Sequence, residues 1–302
     1  MTLERFVNTN LQPESMETIE TANEIIADYA GRGYSLTLRQ LYYQFVARDL
    51  LPNTERSYKN LGNLITKGRM AGLVSWTALE DRTRNLLSWP VDEEPESVIR
   101  GAINDLRFDF WQRMPAYVEV WVEKEALAEV VGRACAPRYV PHLACKGYLS
   151  ASESWRAGKR FEKAEARGQD CVIVHLGDHD PSGLDMTRDN DVRTNLFAWA
   201  GGNIDVRRIA LNMDQVEEYG PPENPTKMTD SRAPEYVGLY GFSCWELDAL
   251  DPETITALIQ TEIESLVDVD AWEEADAAQQ TEREKIRWVA RHWYEVMELM
   301  NQ

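Results

Sequence analysis

The sequence has few cysteines and no long apolar run, and these absences exclude several classes of protein. The four cysteines stand far apart and form no CxxC pair, so their spacing indicates neither a zinc site nor a disulfide framework. No apolar stretch approaches the roughly 20 residues that a membrane-spanning helix needs. The first residues also lack the basic-then-apolar pattern of a secretory signal. We therefore expect a protein of the reducing cytoplasm that has no membrane partner.

The chain also lacks a phosphate-binding loop and an overall basic charge. No G-x-x-x-x-G-K-[ST] motif is present, which argues against ATP hydrolysis of the P-loop kind. The formal net charge of −19 argues against a generic polyanion binder. The charge is uneven, however, because residues 32–84 carry nine basic and four acidic side chains, a net +5. This stretch is suited to face nucleic acid, whereas the acidic tail from Glu246 onward stays away from it or is simply a solvated helix.

Three helices are predicted near the N-terminus, at residues 14–30, from Thr37 onward and at residues 55–71, because apolar residues recur there at helical spacing. Thr37 and Gln40 form a capping-box pattern at the start of the second helix. A winged helix-turn-helix is built in this way, and its third helix approaches the DNA groove. The side chains expected to contact DNA on that helix are Arg56, Lys59, Asn63, Lys67 and Arg69. A purely structural three-helix unit is the alternative.

The second helix separates two adjacent tyrosines. Its residues at i, i+3, i+4 and i+7 form the buried stripe: Leu38, Leu41, Tyr42 and Phe45. Tyr43 is rotated by about 100° from Tyr42, and it lies one helical turn from Arg39, within reach of its guanidinium. Arg39 and Tyr43 are therefore either an ordinary surface pair or a nucleophile with a neighbouring cation.

The rest of the chain is predicted to form a parallel sheet. Residues 90–96 are acidic and proline-bearing, which indicates a linker between two domains, residues 1–92 and residues 93–302. A helix at residues 97–114 precedes strands at residues 116–122, 139–144, 171–176 and 206–211, which alternate with helices at residues 126–134, 152–167 and 184–200. This alternation is typical of an α/β fold whose parallel sheet is covered on both faces. An irregular segment at residues 220–225 and helices at 252–267 and from 271 onward complete the chain.

Carboxylates follow two of these strands. Glu123 comes directly after the first strand, and Asp178 and Asp180 come directly after the third. The carboxyl ends of parallel strands lie at one edge of a sheet, where α/β folds place ligands, so the three carboxylates are expected to meet there. An oxygen-only set suits Mg²⁺ or Mn²⁺. A solvated acidic turn is the alternative for the aspartates, and His179 between them has no Cys or His companion for zinc.

Four short motifs together resemble a known family. They are the Glu-Lys-Glu-Ala element at residues 123–126, Lys-Gly-Tyr at 146–148, Gly-Asp-His-Asp-Pro-Ser-Gly at 177–183, and Arg-Gln-Leu-Tyr-Tyr at 39–43. With the tyrosine motif first in the chain and the other three after it, they resemble the topoisomerase VI A subunit and the related meiotic double-strand-break protein. The resemblance implies an N-terminal winged-helix domain followed by a Toprim domain, a Rossmann-like parallel sheet, with C-terminal helices. The short chain looks like a minimal, stand-alone A-type protein of the kind that phages and plasmids carry.

The resemblance also implies a role for each matching residue. Tyr43 would attack double-stranded DNA and form a 5′-phosphotyrosyl link, and Arg39 would stabilise the charge on the phosphorus. Glu123, Asp178 and Asp180 would hold Mg²⁺, and Lys124 joins the expected DNA contacts. In this family the tyrosine of one subunit works with the metal of the other, which implies a homodimer. Strand passage would need a separate ATPase subunit.

The chain departs from the family at one motif, since Gly147-Tyr-Leu stands where the family has Gly-x-Pro. Two alternative functions stay open. In a hydrolytic Toprim nuclease, a metal-bound water attacks the DNA and Tyr43 is structural. In a non-catalytic subunit, the fold binds DNA or assembles with partners without cutting.

Overall fold

Three helices form the N-terminal part of the computed structural model, which describes residues 3–80, 95–198 and 203–300. They are α1 (Pro13–Gly31), α2 (Leu38–Ala47) and α3 (Glu55–Met70), and they pack around one apolar core. The predicted capping box is confirmed, because the Thr37 side chain accepts from the Gln40 amide while Gln40 Oε1 accepts from the Thr37 amide. Arg82, Arg84, the predicted domain boundary at residue 92 and the predicted linker up to residue 94 lie outside the described residues.

A four-stranded parallel sheet forms the centre of the rest of the chain. Its strands are β1 (Ala116–Val122), β2 (His142–Ala144), β3 (Asp170–Leu176) and β4 (Ile204–Ala210), in the order β2-β1-β3-β4. In this register Val122 at the end of β1 lies beside Leu176 at the end of β3. The residues that follow these two strands, Glu123 and Gly177, therefore start from the same edge of the sheet.

Helices cover both faces of the sheet, as the sequence predicted. One face carries Val118, Val120 and Val122 and packs against α5 (Ala128–Cys135) and α10 (Pro252–Glu264). The opposite face carries Trp121 and Ile173 and packs against α6 (Ala151–Glu165), which α7 (Pro181–Phe197) contacts in turn. Successive side chains of a strand point to opposite faces of the sheet. A sheet that is buried on both sides therefore requires strands that are apolar almost throughout, as β1 and β3 are.

Several predicted boundaries are wrong. The helix expected at residues 97–114 ends early, as α4 (Pro95–Asp105), and a short 3-10 turn, Phe110–Arg113, follows it. The second strand is shorter than expected, because Tyr139 adopts a left-handed backbone with φ of 53°, which an extended strand does not contain. The segment expected to be irregular contains β5 (Glu223–Pro225), which pairs antiparallel with β6 (Ser243–Trp245).

Further helices precede, separate and follow these two short strands and end the described chain. Two short helices, α8 (Met213–Tyr219) and α9 (Ala233–Tyr240), were not predicted from the sequence. The expected C-terminal helix is divided into α11 (Val269–Arg291) and α12 (Trp293–Met300). In the described parts of the chain, every helix is too short or too polar to cross a membrane.

Candidate functional site

The carboxyl edge of the sheet holds the three predicted carboxylates. Glu123 continues the β1 pairing, since its amide donates to the carbonyl of Leu176 at 2.9 Å. Its Oε2 atom accepts from the Asp178 amide at 2.9 Å, which joins the ends of β1 and β3. Asp180 begins α7 as its N-cap, because Oδ1 accepts from the Gly183 amide at 2.6 Å. The hydrogen bonds among the described residues thus occupy one oxygen of Glu123 and one of Asp180.

Two glycines let the backbone and the carboxylates come this close. A Cβ atom at Gly183 would overlap the carbonyl oxygen of Asp178, so the first turn of α7 can approach the loop only without a side chain. A Cβ atom at Gly177 would lie 3.0 Å from Glu123 Oε2 and 3.2 Å from a nitrogen of Arg208. The glycines of the Gly-Asp-His-Asp-Pro-Ser-Gly motif therefore have a packing reason, independent of any family.

Arg208 on β4 fixes the loop between β3 and α7, a role that was not predicted from the sequence. Its Nη2 donates to the carbonyls of Gly177 at 2.9 Å and Asp178 at 2.6 Å, and its Nη1 donates to the carbonyl of Gly183 at 3.0 Å. Burial lowers the pKa of Arg208 to about 10, which leaves the guanidinium charged at neutral pH. The sequence shows two adjacent arginines in this strand, Arg207 and Arg208, and nothing in the pattern tells which of them holds the loop.

The carboxylates at this edge are electrostatically strained. Burial raises the pKa of Glu123, and repulsion from Asp180 adds to this, against the lowering effects of the Asp178 amide and Lys124. Burial likewise raises the pKa of Asp178, opposed by Lys124 and reinforced by Glu123. In residues 3–80, 95–198 and 203–300, no three His, Cys, Asp or Glu side chains converge as a ready-made metal site. The carboxylates of this edge therefore lie near one another, but in the described residues they do not form a set of ligands around one point.

Lys124 provides a cation that contacts these carboxylates directly. Its Nζ atom lies 2.9 Å from Asp178 Oδ1, 2.6 Å from Glu246 Oε2 and 2.6 Å from Asp248 Oδ1. The side chain is only 18% exposed. Lys124 was predicted as a DNA contact, and the structure turns it inward among these carboxylates. Both Glu246 and Asp248 come from the chain after β6, which was predicted to begin an acidic tail that stays away from nucleic acid or is simply solvated.

Tyr43 and Arg39 meet on α2 as the helical spacing predicts. Arg39 Nη2 donates to Tyr43 Oη at 3.2 Å. The expectation that Tyr43 lies off the core is wrong, because Tyr42 and Tyr43 are both buried, with 4% and 3% of their surface exposed. Their hydroxyls differ in what they contact, since Tyr42 Oη accepts from the Thr54 amide at 2.7 Å and so fixes the start of α3. Tyr42 is thus structural, and the Tyr43 hydroxyl faces a cation.

An acidic segment, residues 246–251, packs against α2 and connects the two halves of the chain. Arg39 Nε lies 3.1 Å from Asp248 Oδ2, while the other oxygen of Asp248 contacts Lys124. The guanidinium of Arg39 also contacts Glu246. Further along, Asp251 accepts a hydrogen bond from Tyr29 on α1. One buried carboxylate, that of Asp248, therefore joins the Arg39–Tyr43 pair to the Lys124–Asp178 pair within a single chain.

This environment disfavours the phenolate of Tyr43. Burial is the largest effect, and the charges of Asp248 and Glu246 add to it, so that the pKa of Tyr43 rises to about 12 despite the opposing effect of Arg39. Burial lowers the pKa of Arg39, but the charges of Asp248 and Glu246 together with Tyr43 raise it by more, so the guanidinium stays charged. In this state the hydroxyl is held in place and protonated, with one cation against it.

The predicted DNA-contacting side chains on α3 fall into two groups. Four are exposed to solvent along the helix: Arg56, Lys59, Asn63 and Lys67. Lys59 forms an i,i+4 ion pair with Glu55 at 2.6 Å. Arg69 is instead half-buried, and it donates to the carbonyl of Leu79 at 3.0 Å, so it holds the loop that follows α3. The basic face of α3 is therefore shorter than the sequence suggested.

His179, between the two aspartates, is buried among aromatic rings. Its Nδ1 atom lies 2.8 Å from Tyr236 Oη, and its backbone pairs with Trp245. Burial lowers the pKa of His179 to about 4, so the imidazole is neutral at pH 7. These contacts anchor the loop to β6 and thereby place the acidic segment, which follows β6 directly.

Comparison of the chain with protein-family models, with curated proteins and with solved structures finds no match. The function is therefore inferred from the geometry of these residues together with the motif resemblance.

Proposed function

We propose that the chain is a Mg²⁺-dependent DNA-cleaving enzyme of the topoisomerase VI A type, with a winged-helix domain, a Toprim domain and Tyr43 as its nucleophile. The observation that supports this proposal is the contact of one carboxylate, Asp248, with Arg39 at 3.1 Å and with Lys124 at 2.6 Å. It brings the tyrosine motif and the Toprim-like motif to one site, although they lie far apart in the sequence. A structural tyrosine has no need of such a connection.

Tyr43 attacks the phosphorus of a DNA phosphodiester through its phenolic oxygen. The new bond from oxygen to phosphorus forms as the bond to the 3′ oxygen breaks, so the products are a 5′-phosphotyrosyl link and a free 3′ hydroxyl. The phenolic proton is released and the leaving 3′ oxygen gains one. Arg39 donates to Tyr43 Oη at 3.2 Å and is placed to stabilise the charge that develops on the phosphoryl oxygens.

Glu123, Asp178 and Asp180 are the residues that would hold Mg²⁺ or Mn²⁺. They supply oxygen donors only, and mutual repulsion contributes to the raised pKa values of Glu123 and Asp178, so the donor chemistry fits a hard divalent cation. A bound ion of this kind neutralises phosphate charge during cleavage. Arg208 positions the loop that carries the aspartates through its bonds to the carbonyls of Gly177 and Asp178.

Each chain is proposed to carry its own complete site. The resemblance implies a tyrosine and a metal from different subunits, but here Asp248 connects Arg39 and Lys124 within one chain. A homodimer then provides two sites, one for each DNA strand. The chain has no P-loop, so strand passage is assigned to a separate ATPase subunit.

A hydrolytic Toprim nuclease is the second candidate, and one observation favours it. Tyr43 is buried, with a pKa raised to about 12, which makes it a poor nucleophile unless the acidic segment moves. In that case a water molecule attacks the DNA and Tyr43 only supports Arg39. A non-catalytic DNA-binding subunit is the third candidate.

A cleavage assay on supercoiled DNA with Mg²⁺, run with and without protease, separates these candidates. The proposal predicts DNA breaks that become visible on a gel after protease treatment, lost in Tyr43→Phe and retained in the neighbouring control Tyr42→Phe. Cutting that survives Tyr43→Phe but not Asp178→Ala would support hydrolysis instead. DNA binding without any cutting, by every purified form, would support the non-catalytic subunit.

A further inference from the structure

One oxygen of Glu246 is held by two cations from different parts of the chain. Glu246 Oε2 lies 2.6 Å from Lys124 Nζ, and the same oxygen contacts the guanidinium of Arg39. The two cations come from α2 and from the end of β1, and Arg39 also donates to the Tyr43 hydroxyl. A single anionic oxygen between a guanidinium and an ammonium, next to a hydroxyl, is the pattern of a bound phosphate oxygen.

Glu246 is not needed to hold these cations in place. Asp248 contacts both of them, with a different oxygen for each, and its side chain is only 1% exposed. Glu246 is 26% exposed and Arg39 is 44% exposed, so this side of the cluster opens to solvent. The buried carboxylate therefore fixes the geometry, and the more exposed one can leave by rotating its flexible side chain.

We infer that Arg39 and Lys124 form a binding site for a phosphate oxygen, and that Glu246 fills this site in the DNA-free chain. The ligand class is a phosphodiester, which rests on the proposed function, although the geometry itself requires only a phosphate oxygen. When DNA binds, a phosphate oxygen takes the place of Glu246 Oε2. Glu246 is thus a competitor of the substrate, and Asp248 is a positioning residue.

This inference predicts the sign of a substitution. Glu246→Gln keeps the shape of the side chain but removes its charge, so DNA binds without displacing an ion pair. We expect a metal-free DNA duplex to bind about fivefold more tightly to Glu246→Gln than to wild type, the factor that corresponds to a partly exposed ion pair. The slope of log affinity against log salt should stay close to that of the wild type, because both forms make the same phosphate contacts and only the internal competition is removed.

The matched control is Glu253→Gln. It changes the net charge by the same amount and breaks an ion pair with Arg32, on a glutamate that is 62% exposed. A gain in DNA affinity that comes only from the change in net charge appears in both variants. A gain that comes from removing the competing carboxylate from the phosphate site appears only in Glu246→Gln. Adding Lys124→Ala to Glu246→Gln should abolish the gain.

The experiment is fluorescence anisotropy with a short duplex in EDTA, together with calorimetry using inorganic phosphate, after circular dichroism has shown that each variant is folded. Tighter binding of both probes by Glu246→Gln than by Glu253→Gln supports the inference. Tighter phosphate binding with no DNA binding by any form keeps the phosphate site but refutes the proposed DNA function. If Glu246→Gln binds both probes no more tightly than Glu253→Gln, the inference is overturned and Glu246 is structural.

Discussion

Replacing the buried Asp248 by asparagine should destabilise the protein far more than replacing the exposed Glu253 by glutamine does. The substitution keeps the volume of the side chain and removes one buried charge that contacts Arg39 at 3.1 Å and Lys124 at 2.6 Å. Breaking a buried ion pair by removing one partner leaves the remaining charge uncompensated. Here the two cations keep other partners, since Lys124 still contacts Asp178 and Glu246, and Arg39 still contacts Glu246.

These remaining contacts set the expected magnitude. A fully orphaned buried charge costs about 3 to 5 kcal/mol, so we expect a loss of about 2 to 3 kcal/mol in the free energy of unfolding for Asp248→Asn. Glu253→Gln, which breaks an exposed pair with Arg32, should cost less than about 1 kcal/mol. The 62% exposure of the Glu253 side chain makes it a suitable control.

Urea denaturation at pH 7, followed by circular dichroism, measures both values. Amide hydrogen exchange adds a local test, because Asp248 connects α2 to the sheet, and α2 should lose protection in Asp248→Asn before β1 and β3 do. The idea that Asp248 joins the two halves would be refuted if Asp248→Asn lost no more stability than Glu253→Gln. It would also be refuted if the amides of α2 were as well protected in Asp248→Asn as in the wild type.

Three further predictions concern the site itself. The single-turnover cleavage rate should rise about tenfold per pH unit from pH 7 toward pH 10, because the pKa of Tyr43 is raised to about 12 and the phenolate fraction grows with pH; a flat profile speaks against attack by the phenolate. Gly183→Ala should cost about 1 to 3 kcal/mol in urea denaturation and abolish cleavage, because the added Cβ overlaps the Asp178 carbonyl; wild-type stability would contradict this close approach. Mixing Tyr43→Phe with Asp178→Asn should leave cleavage absent, because each site takes both motifs from one chain and every chain in the mixture has one motif disabled. Restored nicking would mean that the site forms between subunits.

The sequence was sufficient for the sheet and its edge because both follow from local patterns. The apolar run at residues 116–122 coincides with β1, and the strand before Gly177 is displaced by only one residue at its start. Parallel strands then place Glu123 and Asp178 at one edge without further information. The capping box at Thr37 was predictable for the same reason, since a cap depends on residues three positions apart.

The acidic segment was not predictable, because it depends on contacts between distant residues. Arg39 and Glu246 are 207 positions apart, and helical periodicity contains no information about such a pair. Tyr43 was predicted to lie off the core because the periodicity of α2 shows only the face that packs against the other N-terminal helices. The acidic segment packs against α2 as well, and the sequence pattern does not show this. Arg208 was missed because its bonds go to backbone carbonyls, which leave no pattern in the sequence.

The most direct test of the proposed function is to identify the residue that becomes attached to DNA. After cleavage and nuclease digestion, trypsin should release the peptide of residues 40–48, which contains Tyr42 and Tyr43. Tandem mass spectrometry should then locate the 5′ nucleotide on Tyr43 and not on Tyr42. Free 5′ phosphates without a peptide, or a nucleotide on any other residue, would contradict tyrosine transesterification by Tyr43.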